Sequence, residues 1–202
     1  MPLRALPYAP RMEPNPALIS AVMAFEPPVH LFGGVAEDAW LHGSWVRPHE
    51  DLDVLVFRDE LPRHLESAAA LGFGPFEIRF QPLPDTPVVV GAFSEGSNLE
   101  ISVYDRMPDG APFFYMADGD DGIVRVFITH DMFDHPPSMI DGIEVRTVAP
   151  LVQYQIRAGI EIAGGFGPLR PKDVDAQRAL QDRFFPGEAP ESLAPTVVPL
   201  AG

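Results

Sequence analysis

Two aspartates and two glycines are the residues of this sequence whose types and spacing could do chemistry. Asp51 and Asp53 flank Leu52 at the head of a very apolar run, Leu52-Asp53-Val54-Leu55-Val56-Phe57. Residues two apart in a strand project to the same face, so the two carboxylates meet at one point. Two hard oxygen donors there suit Mg2+, which takes one or two carboxylates and leaves its other positions to water or phosphate. Upstream, Gly33-Gly34 follows a short apolar run, Val29 to Phe32, and precedes a helix-like segment, Ala36 to Leu41. Glycine lets the backbone turn sharply and lets a ligand come close, and a helix start offers its N–H groups to an anion. A glycine pair by itself usually marks a turn, and Asp-x-Asp by itself is usually a solvated strand edge. Strand, Gly-Gly, helix, loop (His42 to Glu50) and a strand headed by two carboxylates form a more specific arrangement, with room for both a phosphate and a cation.

The elements that must position these groups can be read on either side. Asn15-Pro16 before Ala17 to Phe25 fits a helix with Asn15 as N-cap and Pro16 at its first position, stopped by Pro27-Pro28. Asp59 can cap a helix over Glu60 to Leu71, ended by Gly72 and Gly74. Extended segments are expected at Phe76 to Phe80, Pro87 to Phe93, Asn98 to Tyr104, Ile123 to Thr129 and, after the turn signal Asp141-Gly142, Ile143 to Val148. In Asn98 to Tyr104 the alternation places Leu99, Ile101 and Val103 on one face and Glu100, Ser102 and Tyr104 on the other. Two helices follow, Ala149 to Ile162 and Lys172 to Phe185. The order predicts a mixed α/β (α+β) fold, a mixed β-sheet with flanking helices and a small C-terminal helical end. The expected organisation is a core over 14–148, a helical segment over 149–185, and flexible ends at 1–13 and 186–202.

The pattern Gly33-Gly34-x-Ala36-x-Asp38, then Gly43, then Arg47-x-His49-x-Asp51-Leu52-Asp53, resembles the signature of small-molecule nucleotidyltransferases of the DNA polymerase β superfamily. Within it, the chain is most similar to aminoglycoside 2″-adenylyltransferases and lincosamide nucleotidyltransferases. The match is close over about thirty residues and looser, in the order of elements, through residue 185. The loop around His42 to Trp45 is one residue longer than the aminoglycoside form, and Val35 replaces a tryptophan; both departures bear on substrate more than on chemistry.

The resemblance implies a nucleotidyltransferase-like fold and transfer of a nucleoside monophosphate, AMP from ATP or another NTP, to a hydroxyl of a small molecule. Its residue roles carry over as follows. Asp51 and Asp53 hold Mg2+. Glu100 is a third carboxylate, as metal ligand or general base, with Asp105 as its fallback. Gly33 and Gly34 hold the triphosphate, with Arg47 and Lys172 on nucleotide phosphate. Asp38, Arg47 and His49 shape the loop. Two rival readings share the fold: a toxin-type or protein-modifying nucleotidyltransferase, and an inactive nucleotide-binding or interaction domain.

Composition narrows the partners. The 202 residues carry 29 acidic and 14 basic side chains, a formal charge of -15, and a surface of that sign repels nucleic acid. With no cysteine, disulfides and thiolate metal sites are excluded. No apolar run is long enough to span a membrane, and prolines interrupt the first residues where a signal peptide needs an apolar core. The expected setting is cytoplasmic, with no nucleic-acid or membrane partner. The remaining candidate, His130, Asp131, Asp134 and His135, has no strong metal-site spacing and reads as a loop.

Overall fold

The computed structural model describes residues 12, 13, 15–94, 96–118, 122–129, 131–164 and 168–200. Residues 1–11 of the expected arm, and His130 of the histidine–aspartate cluster, lie outside them. In chain order the elements are α1 (Pro16–Met23), β1 (His30–Leu31), α2 (Gly33–His42), β2 (Leu52–Phe57), α3 (Leu61–Ala70), β3 (Phe76–Phe80), β4 (Val89–Ser94), β5 (Ser97–Arg106), β6 (Pro112–Asp118), β7 (Gly122–Phe127), β8 (Ser138–Ile140), β9 (Ile143–Val145), α4 (Pro150–Ala163), α5 (Pro171–Phe184), α6 (Pro190–Leu193) and β10 (Thr196–Pro199). The fold is mixed α/β with a mostly antiparallel sheet, as expected. The chain packs as two units, Met1–Tyr104 with Pro136–Thr147, and Asp105–His135 with Val148–Gly202.

In the first unit the strands lie in the order β1, β2, β5, β4, β3. β2 and β5 run parallel and the other pairs antiparallel. β2 is apolar at almost every position because both of its faces are covered, and Leu52, Val54 and Leu55 are fully buried. β5 alternates as expected up to Val103, but Tyr104, placed on the Glu100 face by parity, is buried too. α1 begins as the sequence predicts. Asn15 Oδ1 accepts the Leu18 N–H at 3.0 Å, Pro16 needs no partner for its nitrogen, and Ile19 and Val22 enter the core. α3 differs at its start: Glu60, not Asp59, is the capping position, and no side chain closes it. The hairpin β8–β9 also belongs to this unit. Arg146 after it donates to the Met23 carbonyl at the end of α1.

The second unit pairs the end of β5 (Asp105, Arg106) with β6, then β7, then β10, all antiparallel. α4 packs on β6 and β10, and Gly159 is what lets it approach: a Cβ there would come within 2.8 Å of Val126 Cγ1. The Gln155 side chain accepts the Thr129 N–H at 2.9 Å. Tyr154, Ala158 and Leu193 form a small core closed by Leu151 and Phe185. Within the stretch 186–202, expected as a flexible end, Pro190–Leu193 form α6 and Thr196–Pro199 form β10. The ladder from β10 to β7 supplies the order that local propensity does not.

Two histidines of the first unit are kept neutral by their surroundings. Burial, and next the charge of Arg146, lower His30 from 6.5 to about 4. Burial also lowers His64, which stacks on Phe25 and whose ring nitrogens find no hydrogen-bond partner among the described residues. The unfolded chain therefore binds protons near 6.5 that the folded chain takes only at lower pH. Stability is complete above that value and is lost as pH falls toward 4. The expected loss is about 2 kcal/mol from His30, less than the full shift implies because the ring is partly solvated. Urea unfolding followed from pH 7 to pH 4 measures it. His30→Leu should flatten the slope, and an unchanged slope would remove His30 as its source.

Candidate functional site

The first-unit residues singled out from sequence come together where β1, α2, β2 and β5 meet. The turn from β1 into α2 is tied to β2 by a backbone bond, Phe32 N–H to the Asp53 carbonyl at 3.2 Å. α2 begins at Gly33 itself, not at Ala36, so the glycines form its first turn. Gly33 is left-handed at φ 67°, a conformation glycine adopts without steric cost. It also leaves the space that the Asp53 side chain occupies: a Cβ there would overlap Asp53 Oδ2. At Gly34 a Cβ would stand 2.5 Å from His49 Nδ1 and 3.5 Å from an Arg47 guanidinium nitrogen. The glycines thus bring the helix start against Asp53, His49 and Arg47, rather than simply leaving a gap.

Asp38 organises the loop that follows. It is 2% exposed, yet its Oδ2 accepts the Val46 N–H at 3.0 Å and faces His49 Nε2 at 2.9 Å. Arg47 Nε stands 3.8 Å from its Oδ1, and the same guanidinium reaches Glu37 Oε2 at 3.5 Å. A buried carboxylate persists only when its lone pairs are filled, and here one acid takes backbone, imidazole and guanidinium partners. Further ties come from residues distant in sequence. Trp45 N–H donates to Asp141 Oδ2 at 3.2 Å, and Trp40 Nε1 donates to Thr147 Oγ1 at 2.9 Å. Met12, expected in a loose arm, is buried and exchanges backbone bonds with His49. Asn98 Nδ2 donates to the Glu50 carbonyl at 2.7 Å. The sequence assigned Asp38 and His49 to the shape of this loop but held no sign of Asp141, Thr147 or Asn98 as its anchors.

Asp51 lies just ahead of β2 and Asp53 on it, both half-buried. In the parallel ladder Asp53 is the register partner of Glu100, which places the two on neighbouring strands at the same level. Asp105, the other candidate, lies near the end of β5, where the strand pairs with β6. Glu100 itself is engaged. Arg79, on β3, reaches across β4 and donates from its guanidinium to Glu100 Oε2 at 2.8 Å. Among the described residues no three acidic or histidine side chains gather closely enough to hold an ion. The donor chemistry of Asp51 and Asp53, two hard oxygens beside a helix start, does fit Mg2+ shared with phosphate. Lys172 lies exposed in the first turn of α5, in the second unit. Beside it, Asp173 is bound by Arg170 through Nε at 2.6 Å. Burial opposes ionisation of Asp173, but the hydrogen bond and charge of Arg170, then Arg157 and Lys172, hold its carboxyl below the ordinary value.

Neither a protein-family model nor a curated relative matches the sequence. Solved structures do match the fold. A crystal structure of the lincosamide antibiotic adenylyltransferase LnuA with lincomycin bound superposes with a TM-score of 0.59 at 16% identity, over 85% of this chain and 98% of that one. A crystal structure of ANT(2″)-Ia in complex with adenylyl-2″-tobramycin gives 0.60 at 14% identity, over 87% and 90% of the two chains. A solution structure of ANT(2″)-Ia gives 0.62 at 16% identity, over 87% and 86%. The chain has the fold of these lincosamide and aminoglycoside adenylyltransferases, the group its sequence resembles.

Proposed function

We propose that the protein is a Mg2+-dependent nucleotidyltransferase that moves AMP from ATP, or the matching group of another NTP, to a hydroxyl of a small molecule. The observation that carries this reading is the junction of Asp53 with its two neighbours: the left-handed Gly33 at the start of α2 on one side, and Glu100 in register on the other. The N–H groups of the first turn of α2 suit a triphosphate. Arg47, against that turn and about half exposed, adds positive charge toward it. Asp51 and Asp53 would hold Mg2+, which when bound neutralises charge developing on the α-phosphate. In the transfer, the acceptor oxygen forms a bond to the α-phosphorus and the bond to the bridging oxygen breaks. Pyrophosphate leaves, and Glu100 takes the hydroxyl proton.

The test is turnover of α-labelled ATP with Mg2+ against lincosamides, aminoglycosides and protein acceptors. The expected result is pyrophosphate release with label on a hydroxylated small molecule. Label on protein alone would support the protein-modifying reading instead. Absence of both pyrophosphate release and ATP binding by calorimetry would overturn the proposal.

A further inference from the structure

Arg79 has no counterpart in the sequence pattern that marks the site, yet its guanidinium binds Glu100 Oε2 directly. Three features of the sheet put it there. First, the register of β3 on β4 shifts between Ile78 and Phe80, so Arg79 is the extra residue of a β-bulge. A bulge re-aims a side chain that regular pairing would send elsewhere. Second, β4 carries Gly91 between the two strands, paired with Glu77 on one side and Glu100 on the other. A Cβ at Gly91 would overlap the Arg79 guanidinium at Nε, so the bare glycine is the slot through which the side chain crosses β4. Third, Phe93, two residues along β4 on the same face, receives the guanidinium over its ring at 5.2 Å. The side chains of Arg79 and Glu100 are 17% and 24% exposed, so solvent only partly screens the pair.

Bulge, slot and ring serve one contact, and its effect is on the charge next to Asp53. Without Arg79, Glu100 would add a third negative group level with Asp53, and a divalent cation would draw it in. With Arg79, Glu100 is held from the β4 side and its charge is balanced. We infer that Arg79 is a positioning residue that withholds Glu100 from the cation and keeps it for the acceptor hydroxyl. This rests on the nucleotidyl-transfer reading for the hydroxyl. The cation part needs only the geometry of Arg79, Gly91 and Glu100 and a divalent cation on Asp51 and Asp53, whatever the reaction.

The test uses Mn2+ and MgATP as probes on the full-length protein. Calorimetric titration with Mn2+, without nucleotide, should find weak binding by the native protein and about tenfold tighter binding by Arg79→Gln, because a carboxylate is released and a positive charge removed. Arg79→Gln combined with Glu100→Gln should return to the native affinity. Gly91→Ala should tighten Mn2+ binding in the same direction, since its Cβ displaces only a flexible side chain, and Arg79→Lys should stay near native. Thermal melts confirm that each variant is folded. A merely structural loss would weaken the cation site, so unchanged or weaker Mn2+ binding by folded Arg79→Gln and Gly91→Ala overturns the inference. MgATP titration of the native protein is read separately. Failure to bind it would reject the nucleotidyl-transfer reading while leaving the Mn2+ comparison to decide the role of Arg79.

Discussion

Asp53→Asn is expected to lower the rate of pyrophosphate release by about a thousandfold, with unfolding free energy changed by only about 0.5 kcal/mol. The substitution preserves shape. Asparagine fits beside Gly33 as well as aspartate does, and β2 keeps its ladder to β5. What changes is one negative charge, half-buried, at the point where helix start and neighbouring strand converge. Charge preorganised in such a place is worth several kcal/mol to a reaction that develops negative charge on phosphate. Single-turnover measurements with saturating MgATP, beside a urea melt, separate the two effects. A variant that keeps a tenth or more of the native rate would show that Asp53 is not part of the chemistry.

The largest effect on stability is expected at Asp38. Asp38→Ala should cost about 3 kcal/mol or more, read as a lower urea midpoint. Its carboxylate is the shared acceptor for Val46 N–H and His49 and stands beside Arg47; removing it leaves the buried imidazole of His49 and the Val46 amide without that acceptor. Asp38→Asn should recover part of the loss, because the amide oxygen can still accept one bond. Amide exchange over residues 43–50 should rise in both variants before global unfolding does. A loss under 1 kcal/mol in Asp38→Ala would mean that the distant anchors, not Asp38, hold the loop.

These effects separate what the sequence shows from what only packing decides. Gly33, Asp38 and His49 stand out in the sequence because each has a local role, in a left-handed turn or around a buried acceptor. β5 is legible from its alternation and α1 from Asn15-Pro16. β6 escapes a sequence reading because its core positions Pro112, Phe113 and Phe114 are consecutive and show no period-two signal. β10 is hidden by prolines that suit an edge strand as well as a tail, and its order comes from β7. Arg79 is invisible for a related reason. Its role depends on a bulge in β3 and a missing side chain on β4, and neither leaves a mark at residue 79 itself.

The anchoring of the loop between α2 and β2 also bears on how the protein comes into being. Glu50 is fixed by Asn98, 48 residues later; Trp45 by Asp141, 96 residues later; and Trp40 by Thr147, 107 residues later. A nascent chain that has released only the signature from Gly33 to Phe57 holds all the recognisable residues and few of the groups that fix them. The site is therefore a late product of synthesis, closed when the β8–β9 hairpin arrives. By the same reasoning, the signature transplanted alone into another scaffold would carry its letters without its geometry.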